Sequence, residues 1–137
     1  MKVIIDTNVI ISALYFGGKP GVILNAWKNH KFNICINQEI LQEYHNTSER
    51  LSSKYKNISQ HDVVQFLELL TTHTHIIPSL NTNIQICEDP NDDKFIYCAL
   101  ASGAKIIISG DRHLLDINGY QNIEILKPLN FITKYLK

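Results

Sequence analysis

Two aspartates follow short, wholly apolar runs of the sequence. Asp6 comes directly after the run at residues 3–5, and Asp111 comes after the run at residues 106–108 and two small residues. Apolar runs of this length are typical of strands buried in a parallel sheet. The carboxyl ends of such strands line the crevice where open α/β sheets bind ligands. If the two strands are neighbours, the two carboxylates lie close together at one ligand-binding edge.

Three further acids belong to predicted helices. Asp92 and Asp93 begin a helix that leads into the strand at residues 106–108, and Glu43 lies inside an earlier helix. Each acid also has an ordinary structural interpretation when it is taken alone. An aspartate at a helix start is often an N-cap, Glu43 is typical of a solvated helix face, and Asp111 suits a turn. No single acid therefore indicates a functional site; the indication comes from all of these acids together, in their order along the chain.

A group of carboxylates at one sheet edge favours a particular chemistry. Like-charged carboxylates repel and raise one another's pKa, and a divalent cation removes that cost. Mg²⁺ or Mn²⁺ prefers oxygen ligands, lowers the pKa of a coordinated water and stabilises charge on phosphate oxygens. Such a site hydrolyses phosphodiester bonds and needs neither a cysteine, an essential histidine nor a glycine-rich phosphate loop. The cysteines and histidines of this sequence have no spacing typical of a catalytic site, and the sequence has no convincing glycine-rich phosphate loop.

The elements that would position these acids alternate between strands and helices. Strand candidates are residues 3–5, 33–36, 106–108 and 123–126, with weaker candidates at 75–77 and 84–86. Helix candidates are residues 9–14, 20–27, 38–44, 63–70, 92–102 and 128–136. N-caps are predicted at Thr7 or Asn8, at Asn37 and at Ser59, which has capping-box spacing to Asp62. This alternation predicts an α/β fold, a three-layer sandwich with a central, mainly parallel sheet and helices on both faces.

Composition limits the classes of protein that the chain can represent. The chain has 137 residues, and neither a linker nor a repeat divides it, so we predict a single domain at residues 1–137. The formal net charge of zero excludes nucleic-acid binding through bulk positive charge. No apolar run approaches the roughly 20 residues of a membrane span, and the N-terminus is unlike a secretory signal. Three cysteines without a CxxC pair favour buried thiols in a reducing cytoplasm.

Four motifs, in the correct order, resemble those of the PIN domain family. They lie at residues 1–10, 37–44, 89–101 and 107–115, so the resemblance covers nearly the whole chain. The nearest branch is that of the toxin components of toxin–antitoxin systems (VapC-like). The resemblance implies a metal-dependent ribonuclease that acts on RNA, with Mg²⁺ or Mn²⁺ as cofactor. It also implies a protein antitoxin as partner and a homodimer.

The resemblance carries the family's acidic site onto particular residues of this chain. It implies that four acids are both catalytic and metal-binding: Asp6, Glu43, Asp92 and Asp111. Asp93 is the nearby alternative to Asp92. Asn8 and Ser109 match polar positions that orient the carboxylates.

One position departs from the pattern, because His113 stands where close relatives often carry a further aspartate. His113 either weakens a second metal site or contacts the phosphate. It motivates the alternative hypothesis that the protein is a PIN-fold binding module with little or no catalysis. Arg112 and Lys94 are candidates for phosphate contacts, with solvated surface charge as the competing interpretation. A metal-dependent phosphatase or DNA nuclease with the same acids is a third reading.

Overall fold

The computed structural model describes residues 1–54, 60–79 and 84–137 of the chain. Its strands are β1 Lys2–Ile5, β2 Asn33–Ile34, β3 Ile36–Asn37, β4 Ile76–Ile77, β5 Ile106–Ile108 and β6 Glu124–Leu126. Its helices are α1 Thr7–Tyr15, α2 Gly18–Lys28, α3 Gln38–Ser52, α4 Gln60–His73, α5 Asp93–Ser102, α6 Arg112–Leu115 and α7 Pro128–Tyr135. Short 3₁₀ turns at Pro90–Asp92 and Tyr120–Asn122 precede α5 and β6. The predicted cap Ser59 lies outside the described residues.

A four-stranded parallel sheet forms the centre of the fold, with the strand order β2-β1-β5-β6. In the pairing of β1 with β5, Val3 lies opposite Ile106 and Ile5 lies opposite Ile108. Successive side chains of a strand point to opposite faces, yet every residue of β5 is buried, so both faces of the sheet are covered. The predicted α/β class with a central parallel sheet and helices on both faces is confirmed.

The predicted strand at residues 33–36 is divided between two sheets. β2 pairs with β1, and the backbone N–H of Cys35 still donates to the carbonyl of Val3 at 2.9 Å. The next residues form β3, which pairs in parallel with β4 in a separate two-stranded sheet. The chain thus leaves the central sheet immediately before α3. The weaker strand prediction at residues 75–77 is confirmed by β4.

Helix α3 is tied to both β1 and α5. Asn37 is its N-cap, as predicted, because its Oδ1 accepts from a backbone N–H in the first turn at 2.9 Å. The other side of the same amide donates from Nδ2 to the carbonyl of Lys94 at 3.2 Å. Tyr44 is fully buried, and its hydroxyl donates to the carbonyl of Ile5. These bonds hold the first turns of α3 beside the end of β1.

Aromatic side chains fill the core around the central sheet. Phe32 packs edge-on against Phe131 with ring centres 5.4 Å apart, and Trp27 packs in the same way against Phe66 at 6.0 Å. Phe16 differs from these because it is 64% exposed. The three cysteines are free and buried, as predicted: Cys35, Cys87 and Cys98.

Among the described residues, no single helix is both long and apolar enough to cross a membrane. Helices α1 and α2 reach that length and composition only as a pair, and they meet at a bend of 96°. Gly17 and Gly18 form this bend with φ of 73° and 63°, in the left-handed region that favours glycine. The bend brings the start of α2 back toward the end of the sheet where Asp111 lies, since Pro20 and Asp111 line one cleft.

Candidate metal-binding active site

Ser109 links two of the predicted acids at the carboxyl edge of the central sheet. Because β1 and β5 pair in register, the residues that follow them meet at this edge. The hydroxyl of Ser109 donates to Asp6 Oδ2 at 2.6 Å and accepts from the backbone N–H of Asp111 at 2.9 Å. Ser109 is fully buried and Asp6 nearly so. The first acid is therefore held in a fixed relation to the loop that bears the last one.

The ionised form of Asp6 is disfavoured in this position. Burial raises the pKa of Asp6, and the charges of Asp111 and Glu43 raise it further, whereas the hydrogen bond from Ser109 acts in the opposite direction. A cation at this edge would stabilise the charged form of Asp6.

Asp92 joins the same edge from the 3₁₀ turn that precedes α5. Burial raises the pKa of Asp92 to about 7, and the charges of Asp111 and Asp6 contribute to the increase. Its Oδ2 atom is buried and has no hydrogen-bond partner among the described residues. A buried carboxylate oxygen without a partner is an acceptor that a cation or a proton would satisfy.

Glu43 approaches the edge from α3 and is held by two donors. Lys94 Nζ lies 2.6 Å from Glu43 Oε1, and the hydroxyl of Thr7 donates to Glu43 Oε2. The predicted N-cap at Thr7 or Asn8 is wrong, because Asp6 precedes α1 as its N-cap and Thr7 is the first helical residue. Lys94 was predicted only as a phosphate contact. These partners are 36 and 51 positions from Glu43 in the chain, so no local pattern in the sequence indicates their contact.

Asp93 has a structural role that its neighbour Asp92 lacks. Its carboxylate is 3% exposed and accepts hydrogen bonds from the backbone N–H of Cys87 at 2.7 Å and from that of Ile86 at 3.2 Å. The strand prediction at residues 84–86 is therefore wrong: the described chain there is irregular, and its donors pair with a side chain instead of a neighbouring strand. Asp93 is directed to this segment, while Asp92 is directed to the acidic edge.

Two further predicted residues line an open cleft beside the acids. Asn8 and Arg112 share this cleft, of about 650 Å³, with Asp111, Ser12 and Pro20. Asn8 is exposed, whereas Ser109 contacts Asp6 directly. The side chain of Arg112 is 87% exposed, and its Nε lies 3.8 Å from Asp116 Oδ2, a loose surface ion pair. The guanidinium is thus available to a ligand in the cleft.

His113 lies in the first turn of α6, next to the same cleft. Asp111 is the N-cap of this helix, since its Oδ1 accepts from the backbone N–H of His113 at 3.0 Å. His113 Nδ1 lies 3.4 Å from Glu88 Oε2, an arrangement that makes an ion pair if the imidazole is protonated but no hydrogen bond. His113 therefore faces Glu88 and does not simply replace an acid of the set.

The donor set at this edge fits a hard divalent cation in its chemistry. In the described parts of the chain, no three His, Cys, Asp or Glu side chains are grouped closely enough to hold a metal ion as they stand. Three carboxylates nevertheless converge on the edge, and one of them, Asp92, keeps a buried oxygen without a partner. Oxygen ligands of this kind suit Mg²⁺ and Mn²⁺. Binding of a cation would require small movements of the carboxylates toward one another.

The raised pKa of Asp92 predicts how the stability of the metal-free protein depends on pH. The folded-state pKa of about 7 exceeds the ordinary value of 3.8, so its stabilising contribution is complete below pH 3.8 and is lost as the pH rises through 7. We expect Asp92→Asn to raise the free energy of unfolding of the metal-free protein at pH 8. Partial exposure of the side chain limits the gain to on the order of 1 kcal/mol.

Urea unfolding at pH 5 and pH 8 in the presence of EDTA measures this effect. The difference between Asp92→Asn and the wild type should be larger at pH 8 than at pH 5. Asp116→Asn, which changes an exposed acid in the same way, serves as the control and should leave the pH dependence as it is in the wild type. An identical pH dependence in Asp92→Asn and the wild type would contradict the assigned environment of Asp92.

Comparisons with known proteins agree with this fold. A family model described as PIN domain matches residues 2–113, and the chain belongs to this family. PIN domains are generally nucleases and typically use divalent metals. The chain is also similar to the uncharacterized protein MJ1680 of Methanocaldococcus jannaschii. The two are 36% identical over 148 positions, which cover 100% of this chain and 93% of the relative.

Proposed function

We propose that the protein is a metal-dependent endoribonuclease that hydrolyses phosphodiester bonds of RNA. The observation that carries this proposal is that Ser109 joins Asp6 to the loop of Asp111 at one sheet edge, where the nearby Asp92 has a buried Oδ2 without a hydrogen-bond partner among the described residues. Membership of a family of nucleases supports the same reaction class. Mg²⁺ or Mn²⁺ would be held by these acids, with Glu43 beside them.

The side chains around the acids have separate parts in this proposal. A bound cation would promote ionisation of the attacking water and stabilise charge on the phosphate oxygens in the transition state. Ser109 keeps Asp6 oriented through its 2.6 Å hydrogen bond, and the N-cap bond of Asp111 fixes that carboxylate at the start of α6. The cleft with Asn8 and the exposed Arg112 would accept the RNA backbone.

Removal of metal is the first test of this proposal. Purified protein, treated with EDTA and dialysed, is expected to leave a fluorescently labelled single-stranded RNA intact. Addition of Mn²⁺ or Mg²⁺ should restore cleavage, whereas Ca²⁺ should not, because its larger and more flexible coordination shell suits the reaction less well. Gel electrophoresis of the products over time measures the rate. Full cleavage in EDTA would contradict the proposal. Preferential cleavage of a matching DNA oligonucleotide or of a phosphomonoester would show that RNA is not the preferred substrate.

A PIN-fold binding module with little catalysis is the second candidate. It is favoured by His113, at the position where the resemblance implies a further aspartate. It is also favoured because, among the described residues, no three acids are grouped closely enough to hold a metal ion as they stand. Calorimetric titration with Mn²⁺ separates the two candidates. The nuclease binds Mn²⁺ below millimolar concentration, whereas a module that has lost its metal site does not.

The biological role that fits this activity best is that of a toxin neutralised by a protein antitoxin. Support comes from the four motifs, which resemble the toxin branch of the family. A small DNA-binding protein encoded beside this chain would agree with the role, as would growth arrest on expression that a neighbouring gene relieves. The same resemblance favours a homodimer in the cytoplasm, and light scattering during gel filtration measures the oligomeric state.

A further inference from the structure

Both carboxylate oxygens of Glu43 have a partner from a distant part of the chain. Lys94 Nζ lies 2.6 Å from Oε1, and the hydroxyl of Thr7 donates to Oε2. The Lys94 and Glu43 side chains are only 19% and 32% exposed, so water screens this ion pair less than it screens a pair at the surface. A positive charge therefore lies beside Glu43 in the metal-free protein.

The backbone keeps this lysine in place. Lys94 lies in the first turn of α5, and its carbonyl accepts from Asn37 Nδ2, the amide that also caps α3. Glu43 lies two turns further along α3. The ammonium and the carboxylate are thus brought together by the packing of α3 against α5.

We propose that Lys94 is a positioning residue that takes the place of a second divalent cation. It neutralises Glu43 and limits the site to one cation, held by Asp6, Asp92 and Asp111. One divalent cation and one lysine leave the ionised acids with a small negative excess, whereas a second cation beside Lys94 would make the cluster positive and is disfavoured by repulsion. This inference rests on the proposed metal-dependent function and specifies the number of metal ions.

Titration calorimetry of the full-length, metal-free protein with MnCl₂ tests the inference. The wild type should bind one Mn²⁺ per chain. Lys94→Met removes the charge and frees Glu43, so it should bind a second Mn²⁺ or bind the first about tenfold more tightly. Lys94→Arg keeps the charge and should bind as the wild type does.

Lys134→Met is the matched control, because Lys134 also lies 2.6 Å from a glutamate, Glu124, but on the exposed surface of α7. It should leave Mn²⁺ binding unchanged. If Lys94→Met does not fold by circular dichroism, Lys94→Gln, which also removes the charge, replaces it with the same expected result.

The titration distinguishes failure of the proposed role of Lys94 from failure of the proposed metal-dependent function. Two Mn²⁺ ions in the wild type, or wild-type stoichiometry and affinity in the uncharged Lys94 variants, would overturn the role of Lys94 and leave the proposed function intact. Weaker Mn²⁺ binding in those variants would also overturn it, since that result indicates a purely structural role. Absence of Mn²⁺ binding to the wild type would instead contradict the proposed function, and the inference with it.

Discussion

Replacing Asp92 with asparagine is expected to reduce RNA cleavage in saturating Mn²⁺ by about 10³-fold or more. The amide removes a negative charge from the acidic edge and a carboxylate oxygen that has no other partner among the described residues. Metal ions contribute several kcal/mol to the stabilisation of transition-state charge, which corresponds to a rate effect of this size. Initial rates on a single-stranded RNA, measured at several Mn²⁺ concentrations, give the change.

The fold of Asp92→Asn should be intact, because the substitution relieves repulsion from Asp6 and Asp111. Its unfolding midpoint without metal should equal or exceed that of the wild type. Asp116→Asn, an exposed acid changed in the same way, should cleave at the wild-type rate. Retention of activity within about threefold in Asp92→Asn would contradict the assignment of this residue to the metal site.

The adjacent variant, Asp93→Ala, is expected to lose stability instead of metal binding. Asp93 is buried and accepts from the backbone N–H groups of Ile86 and Cys87, so truncation leaves two donors without their charged acceptor. Loss of such charge-assisted bonds costs about 2–4 kcal/mol. For a domain of this size, the midpoint of thermal unfolding should fall by roughly 10 °C.

Differential scanning calorimetry measures this loss, and Mn²⁺ titration at a temperature where the variant is folded measures the site. We expect Mn²⁺ affinity within about threefold of the wild type. Asp93→Asn, which keeps one acceptor oxygen, should lose about half as much stability. If Asp93→Ala keeps the wild-type unfolding temperature but no longer binds Mn²⁺, Asp93 and not Asp92 is the metal ligand.

The central sheet was predictable because its strands are buried on both faces. Residues 3–5 of β1 and all of β5 are therefore continuous apolar runs, which are typical of strands in a parallel sheet. The predicted end of the helix at residue 102 is also confirmed, because Gly103 follows it in the left-handed conformation, at φ 80°. The proximity of Asp6 to the loop of Asp111 follows from the same reasoning, since the two strands are neighbours.

Features that depend on side chains from distant elements were not predictable. The segment at residues 84–86 has a strand-like pattern, but its backbone donors pair with Asp93, which a local pattern does not contain. The contact of Lys94 with Glu43 depends on how α3 packs against α5, and the sequence supplies no register for that packing. Burial and the hydrogen bonds from Ile86 and Cys87 distinguish Asp93 from Asp92, two residues that the sequence alone leaves as alternatives.

Diffraction from crystals soaked in MnCl₂, collected at a wavelength where manganese scatters anomalously, tests the central claim most directly. We expect one anomalous peak per chain within about 2.5 Å of carboxylate oxygens of Asp6, Asp92 and Asp111. Lys94 should remain paired with Glu43. The absence of a peak at this edge at saturating Mn²⁺, or a peak held by other residues, would contradict it.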